Sequence, residues 1–280
     1  MNKPGFVLAG MVAFLSAAHI PATQADDYSD AVTAYAKGDY SSAISLYKSV
    51  ANQGPVQGLV QGFVQDSAKA QYNIARMYLQ GRAVEQNYEE AFNWMLKAAQ
   101  NGYVLAQDEV GIMYARGQGR PMDGQEAFNW FEKASEQGYA KSQYKLGFMY
   151  ADGLIVKQDP EAAFDWFKKS ATRGHAEAMY SLAVAYDNGQ GVKADPKQAV
   201  IWYEIAAEKN ISSAQFDLSI MLDKGRGTEQ NLVQAYGWAS IAEQNGVDGA
   251  EELKADIAAK MSPTQIAAAE TRAIEWITSH

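Results

Sequence analysis

The chain has 280 residues, with 33 acidic and 24 basic side chains and a formal net charge of −9. An acidic chain without a lysine- or arginine-rich run lacks the electrostatic footprint of proteins that bind nucleic acid or anionic lipid. Because it has no cysteine, disulfides, thiolate nucleophiles, cysteine-based zinc sites and lipid-modified cysteines are excluded.

Residues 1–25 are typical of a secretory signal peptide. Lys3 supplies a positive start, residues 6–18 form an apolar run, and small residues precede Asp26. This pattern predicts cleavage after Ala25 and an exported protein, in the periplasm or secreted. The apolar run is shorter than the roughly 20 residues that span a bilayer, so we expect no membrane span in the mature chain. The alternative is an uncleaved anchor or a buried helix.

Residues 26–54 predict a first helix pair, because apolar residues recur at helical spacing on both sides of a Gly-Asp break. Residues 55–66, PVQGLVQGFVQD, are inserted relative to the regular spacing that follows. We interpret them as an inserted loop, or a longer helix start, that rests on the first pair. The alternative is an apolar contact surface.

Between residues 67 and 246 one unit of 36 residues occurs five times. Its clearest marker is a tryptophan, found at Trp94, Trp130, Trp166, Trp202 and Trp238. An alanine stands three residues before each, at Ala91, Ala127, Ala163, Ala199 and Ala235. Such strict periodicity indicates a stacked two-helix unit in which each copy buries an apolar face that it cannot bury alone.

Each unit has the start and stop signals of two helices. The first helix ends at a glycine suited to a left-handed cap, at Gly81, Gly117, Gly153, Gly189 and Gly225. The second helix opens at a good N-cap, at Asn87, Asp123, Asp159, Asp195 and Asn231. Inside the first helices, Gly111 and Gly147 predict a close approach by a neighbouring helix backbone.

Residues 247–280 do not continue the 36-residue period. They predict closing helices, the last of which begins with a capping box at Ser262–Gln265.

The order of these markers, with Ala, Leu, a small residue, Tyr, Gly-x-Gly, Asp-Pro, Ala and Trp, resembles the Sel-one-like repeat (SLR) family. That family is a relative of the tetratricopeptide (TPR) repeats, which residues 26–54 resemble more closely. The resemblance implies an all-α, right-handed solenoid of antiparallel helix pairs whose first helices line a concave groove. Family members are typically adaptors that bind proteins or peptides, and bacterial members are often exported. Some exported relatives linked to β-lactam binding are cysteine-rich, which this chain is not.

The sequence contains no complete catalytic constellation. S-x-x-K occurs at Ser45–Lys48 and Ser142–Lys145, but the S-D-N and K-T-G elements of penicillin-recognising enzymes are missing. The Gly-x-Gly turns follow helices and lack a third glycine and a Walker lysine, so we interpret them as turns. His175 stands alone at a helix boundary, whereas zinc takes three or four ligands. We therefore predict a non-enzymatic protein with no cofactor and no metal site.

The groove is the remaining candidate site, and by analogy with TPR units three rows of first-helix residues face it. The first row is Tyr72, Asp108, Tyr144, Tyr180 and Phe216; the second is Asn73, Glu109, Lys145, Ser181 and Asp217; the third is Arg76, Ile112, Phe148, Val184 and Ile220. Aromatic residues recur while polar members change, a pattern that suits a protein or peptide partner. The alternative is that the tyrosines only cover the groove floor.

We therefore expect a non-catalytic adaptor of the bacterial envelope that binds a protein or peptide in its groove and does not bind nucleic acid. Two alternatives belong to other classes. One is an enzyme or binder acting on cell-wall glycan or β-lactams. The other is a secreted factor that interacts with a host.

Overall fold

The computed structural model describes residues 23–52 and 61–279, which form fourteen α-helices and no strand. In chain order the helices are α1 (Thr23–Ala36), α2 (Tyr40–Asn52), α3 (Gln61–Gln80), α4 (Tyr88–Gln100), α5 (Val104–Arg116), α6 (Gly124–Glu136), α7 (Ala140–Asp152), α8 (Pro160–Thr172), α9 (Ala176–Asn188), α10 (Pro196–Glu208), α11 (Ser212–Lys224), α12 (Leu232–Gln244), α13 (Ala250–Ala258) and α14 (Pro263–Ser279). The pairs from α3–α4 to α11–α12 are called units 1 to 5. The predicted all-α solenoid of stacked helix pairs is confirmed.

The helices stack in chain order. Each second helix packs against its own first helix and against the first helix of the next unit, and α14 closes the array by packing on α12. The alanine row of the second helices and the aliphatic row of the first helices (Ile74, Val110, Leu146, Leu182, Leu218) are all buried. The core is therefore a continuous strip that runs along the array, as expected of a solenoid. None of the helices in the described part of the chain is long and apolar enough to cross a membrane.

The caps form as predicted. The N-cap side chains of the second helices accept backbone N–H bonds, for example from Glu126 to Asp123 at 3.0 Å. In the capping box, the Ser262 N–H donates to Gln265 Oε1 at 2.9 Å and the Gln265 N–H donates to Ser262 Oγ at 3.3 Å. These bonds satisfy amides that the first turn of a helix leaves without partners.

The tryptophans pack against the core clusters, and Trp130 is the most buried of the row. In units 1 to 3 a lysine one turn later lies over the indole; the Lys133 ammonium, for example, is 4.0 Å from the Trp130 ring centroid. The row therefore combines packing with cation–π contacts on its open side.

Residues 61–66 belong to helix α3, which agrees with a longer helix start and not with a loop, and residues 53–60 lie outside the described part. Another expectation needs correction. The glycines within first helices face a side chain and not a neighbouring backbone. A Cβ on Gly111 would lie 2.6 Å from Phe131 Cε1, and one on Gly147 would lie 2.5 Å from Phe167 Cε1. Glycine is needed there because the ring of the unit's own second helix fills the space.

A buried glutamine of the first helix ties several units together. Nε2 of Gln107, Gln143 and Gln215 donates to a carbonyl near the end of the preceding second helix at 3.2–3.3 Å. At Gln107 and Gln215 a second amide side chain, from Gln137 and Asn245, donates to Oε1 at 2.7 and 2.9 Å. These amide bonds lie among apolar neighbours, where an unpaired polar group is costly.

Candidate binding surface on the first helices

The predicted rows meet at the joints between units. A first-row residue of one unit lies beside a second-row residue of the next unit, and we call each such couple a joint pair. The four joint pairs are Tyr72 with Glu109, Asp108 with Lys145, Tyr144 with Ser181, and Tyr180 with Asp217. Successive first helices therefore present these side chains on one common face.

Asp108 is a structural residue of this face and not an open contact, which corrects its predicted role. Its carboxylate is 4% exposed and accepts bonds from Ser142 Oγ and Lys145 Nζ, both at 2.7 Å. A buried carboxylate requires such pairing. The same bonds account for Ser142–Lys145 of the S-x-x-K pattern, because both side chains hold Asp108 and the Ser142 hydroxyl is fully buried.

The tyrosines of the rows are half-buried against neighbouring rings. Tyr72 contacts Tyr103 edge-on at 5.1 Å between ring centroids. Tyr144 contacts Phe148 at 4.8 Å and His175 at 4.6 Å. Burial raises the pKa of Tyr72 and Tyr180 to about 12, so both hydroxyls stay protonated at neutral pH. These tyrosines help to form the floor of the face and still leave part of each ring accessible.

The remaining predicted residues vary in exposure. Arg76 and Phe148 are exposed, and the rest are half-buried: Asn73, Glu109, Ile112, Ser181, Val184, Phe216, Asp217 and Ile220. Asn73 Nδ2 donates to the Tyr28 hydroxyl at 3.3 Å, which connects the face to the N-terminal pair.

His175 is the N-cap of α9, a role that its sequence position at a helix boundary left unassigned. Its Nδ1 accepts the Ala178 N–H at 3.3 Å. Burial lowers the pKa of His175 below its ordinary value, although nearby Glu177 opposes the shift. The neutral imidazole is thus the form that can act as the cap acceptor.

A pocket of about 460 Å³ opens on this face between units 2 and 3. Four predicted residues line it: Ile112, Tyr144, Lys145 and Phe148. Among residues that sequence reasoning did not select, its lining includes Arg116, Met122, Phe131, Met149 and Ile155. Its volume falls within the range of about 300–1,000 Å³ found for ligand sites. We call it the unit 2–3 pocket.

Exposed apolar side chains surround the unit 2–3 pocket. Of the eight large hydrophobic residues that are exposed in the described part of the chain, three line it, namely Met122, Phe148 and Ile155. A fourth, Leu154, directly precedes Ile155 and is 84% exposed. Contiguous exposed apolar patches are typical of interaction sites in soluble proteins.

Met122 stands where units 1, 3 and 5 have a glutamine. In those units Nε2 of Gln86, Gln158 and Gln230 donates to a carbonyl at the end of the first helix at 2.7–2.8 Å. Met122 makes no such bond, is 75% exposed, and leaves the equivalent carbonyl of Ala115 without a glutamine donor beside the pocket.

Ile155 stands where three other units have the second glycine of Gly-x-Gly. A Cβ on Gly119, Gly191 or Gly227 would lie 1.9–2.2 Å from a backbone oxygen of the preceding unit, so these glycines let the turn touch that unit. At the turn of unit 3 the glycine is on the other side of the contact. The preceding unit supplies Gly124, and Ile155 Cδ1 occupies the space beside it. In the sequence, the departure from Gly-x-Gly at Ile155 is the feature that could have indicated this difference between the units.

A polar cluster occupies the same face in units 4 and 5. The Tyr180 hydroxyl donates to Asp217 Oδ2 at 3.1 Å, and Arg226 pairs with Asp187, whose Oδ1 is buried without a described hydrogen-bond partner. Burial raises the pKa of Asp217 above its ordinary value despite that hydroxyl bond. Within the described residues, no group of three His, Asp or Glu side chains is placed to hold a metal ion.

The repeat assignment is supported by comparison with known proteins. The Sel1 repeat model matches residues 68–103, 104–139, 140–175, 176–211 and 212–247. A Sel1 repeat protein structure from Oxalobacter formigenes is 29% identical, covers 83% of this chain and 88% of its own, and has a TM-score of 0.68. The structure of a protective antigen of uropathogenic Escherichia coli with an SLR fold is 26% identical and has a TM-score of 0.51. The match covers 91% of this chain and 68% of the antigen chain.

No curated protein matched the chain. Sel1 repeats generally form non-enzymatic scaffolds that mediate protein interactions. Five consecutive matches account for most of the chain, in the same register as the helix pairs. The chain belongs to the Sel1 repeat family.

Proposed function

We propose that this protein is a non-catalytic adaptor that binds a protein or peptide segment on its first-helix face, with the unit 2–3 pocket as the main contact. The observation that carries the proposal is the cluster of exposed Met122, Phe148, Leu154 and Ile155 at that pocket. In protein interfaces a few residues packed in desolvated pockets supply most of the binding energy.

In-cell photocrosslinking tests this proposal directly. A photoreactive residue replaces Phe148 in the pocket, and the matched control carries it at Glu132, an exposed position on α6 of unit 2. We expect a discrete adduct from position 148 that is absent from position 132 and is lost on Ile155→Gly. Equal labelling from both positions, or none from 148, would contradict the assignment of this surface.

We also propose that the protein is exported, on the basis of the residue pattern at positions 1–25. Cleavage after Ala25 would leave α1 to begin at Asp26, within the helix described from Thr23. N-terminal sequencing of the protein recovered from the periplasmic fraction and from the medium is expected to start at Asp26. Recovery only from the cytoplasm with an intact N-terminus would refute export.

A secreted host-interaction role is the second candidate. What favours it is the structural relative from uropathogenic Escherichia coli that is described as a protective antigen. Fractionation separates the two readings, since a host-directed factor would accumulate in the medium. An activity on β-lactams is less favoured, because the Ser142 hydroxyl is buried and bonded to Asp108. Turnover of nitrocefin by the purified protein would reinstate it.

A further inference from the structure

We propose that the unit 2–3 pocket selects an extended peptide segment of a partner in which a large apolar side chain lies next to an aspartate or glutamate. The inference rests on the proposed adaptor function and specifies the chemistry of its partner. Three features of the pocket carry it: its apolar interior, its uniformly positive charged groups and an available backbone acceptor.

The interior fits a large aliphatic or aromatic side chain. Ile112, Phe131, Phe148 and Met149 line it, as do Met122 and Ile155, which stand where three other units have glutamine and glycine, respectively. Methionine and aromatic side chains adapt to apolar partners with little polar desolvation. Both departures from the repeat add apolar surface at the same pocket, so they act together.

The charged groups that line the pocket are Arg116 and Lys145, and no carboxylate lines it. The Lys145 ammonium is paired with buried Asp108, whereas exposed Arg116 has no ion pair within the described residues. The half-buried Glu109 lies close enough for Arg116, Lys145 and Arg76 to oppose the rise in its pKa, so these cations gather in one region. In a chain of net charge −9, this local excess of positive charge complements an acidic group.

The backbone acceptor points to a peptide. Ala115 lines the pocket, and its carbonyl lacks the glutamine donor that equivalent residues have in units 1, 3 and 5. A partner N–H can take the place of that missing donor. An extended segment would then present its N–H to Ala115, its apolar side chain to the pocket and its carboxylate to Arg116.

The test uses the full mature chain and a random library of N-acetylated, C-amidated octapeptides displayed on beads. We expect enriched sequences to contain Leu, Met or Phe within two positions of Asp or Glu. In fluorescence anisotropy with an enriched peptide, Arg116→Gln should weaken binding by about three- to tenfold and reduce its salt dependence. Met122→Gln and Ile155→Gly, which restore residues of the other units, should each weaken it by about fivefold or more.

Lys224→Gln is the matched control, since Lys224 is the exposed residue of unit 5 that corresponds to Arg116. We expect it to leave affinity unchanged. Enrichment of apolar peptides without an acid, or equal losses from Arg116→Gln and Lys224→Gln, would overturn the charge selection. A concentration-dependent dimer abolished by Ile155→Gly would assign the pocket to a second copy of the chain. A crosslinked partner at position 148 without acidic enrichment would remove this inference and leave the adaptor function standing.

Discussion

The joint between units 2 and 3 and the joint between units 3 and 4 are formed by equivalent helices in the same register but present different surfaces. At the later joint, Gly191 touches the backbone of Pro160, and the lining of the pocket there includes Gln158 and Gln190. At the earlier joint, Ile155 lies over Gly124 and Met122 replaces the glutamine. The later joint has a pocket of about 290 Å³ with glutamines in its lining, whereas the pocket at the earlier joint is larger, about 460 Å³, and has Met122 and Ile155 in its lining.

The largest expected effect comes from placing the isoleucine of the earlier joint at the equivalent position of the later joint. In Gly191→Ile, the new Cβ would lie 1.9 Å from the Pro160 carbonyl oxygen, and the backbone φ of +69° is strained for a branched residue. We expect the free energy of unfolding to fall by about 3 kcal/mol or more.

Urea denaturation followed by circular dichroism measures this loss. The reverse change, Ile155→Gly, removes a partly exposed side chain and is expected to cost about 1 kcal/mol or less. Similar losses from the two variants would show that the two joints do not differ in their need for glycine at this position.

The joint pairs give the second comparison, because Asp108 with Lys145 corresponds to Tyr144 with Ser181 at the next joint. Lys145→Met leaves the buried Asp108 carboxylate with Ser142 as its remaining partner, so stability should fall by about 1–3 kcal/mol. Adding Asp108→Asn should recover part of that loss, as measured in a double-mutant cycle by urea denaturation. Exposed Lys141→Met is the control, and an equal loss there would show that the pair contributes nothing specific.

Asp217 of the fourth joint pair should give a smaller, pH-dependent effect. Its pKa is raised by burial, so its contribution to stability is present below its ordinary pKa and is lost as pH rises through the folded-state value. Asp217→Asn keeps an acceptor for the Tyr180 hydroxyl and removes the desolvated charge. We expect its melting temperature at pH 7 to equal or exceed that of the wild type.

The pH profile of Asp217→Asn should also be flatter between about pH 4 and pH 7. Thermal melts across this range check the prediction, with exposed Asp248→Asn as the matched change. A profile as steep as that of the wild type would assign the pH dependence to other groups.

The smallest effect is expected at His175, which caps α9 where the preceding unit has Tyr139 at the corresponding position and makes no side-chain cap bond. Its pKa is lowered, so its contribution is complete above its ordinary pKa and is lost as pH falls toward the folded-state value. His175→Tyr should change stability by less than about 1 kcal/mol at pH 7.5. It should also reduce the drop in melting temperature between pH 7.5 and 5.5; an unchanged drop would contradict this role.

The fold was predictable because repetition makes the same signals recur: the buried alanine row, the glycine stops and the Asn or Asp caps each appear five times. The pocket was only partly predictable. Ile112, Tyr144, Lys145 and Phe148 follow from the position of first-helix residues, but Met122 and Ile155 lie in turns outside that pattern.

Other details depend on contacts that spacing does not specify. Nothing in the spacing indicates that Ile155 would fill the space beside Gly124, or that Asp108 would be enclosed by Ser142 and Lys145. Position along the helix predicted which residues share a face. Burial of each side chain depended on the residue across the joint, which changes from unit to unit.

The buried glutamines have a consequence for how this array can change in length. Gln107 and Gln215 hold the same amide bonds in units 2 and 5, whereas unit 4 carries Met179 at the corresponding position. Each glutamine donates to a backbone carbonyl of the preceding unit and accepts from an amide side chain of its own unit, so neither bond needs a particular side chain in the neighbour. A glutamine-bearing unit can therefore be added after any other unit without leaving its buried amide unpaired, as unit 5 shows by following unit 4.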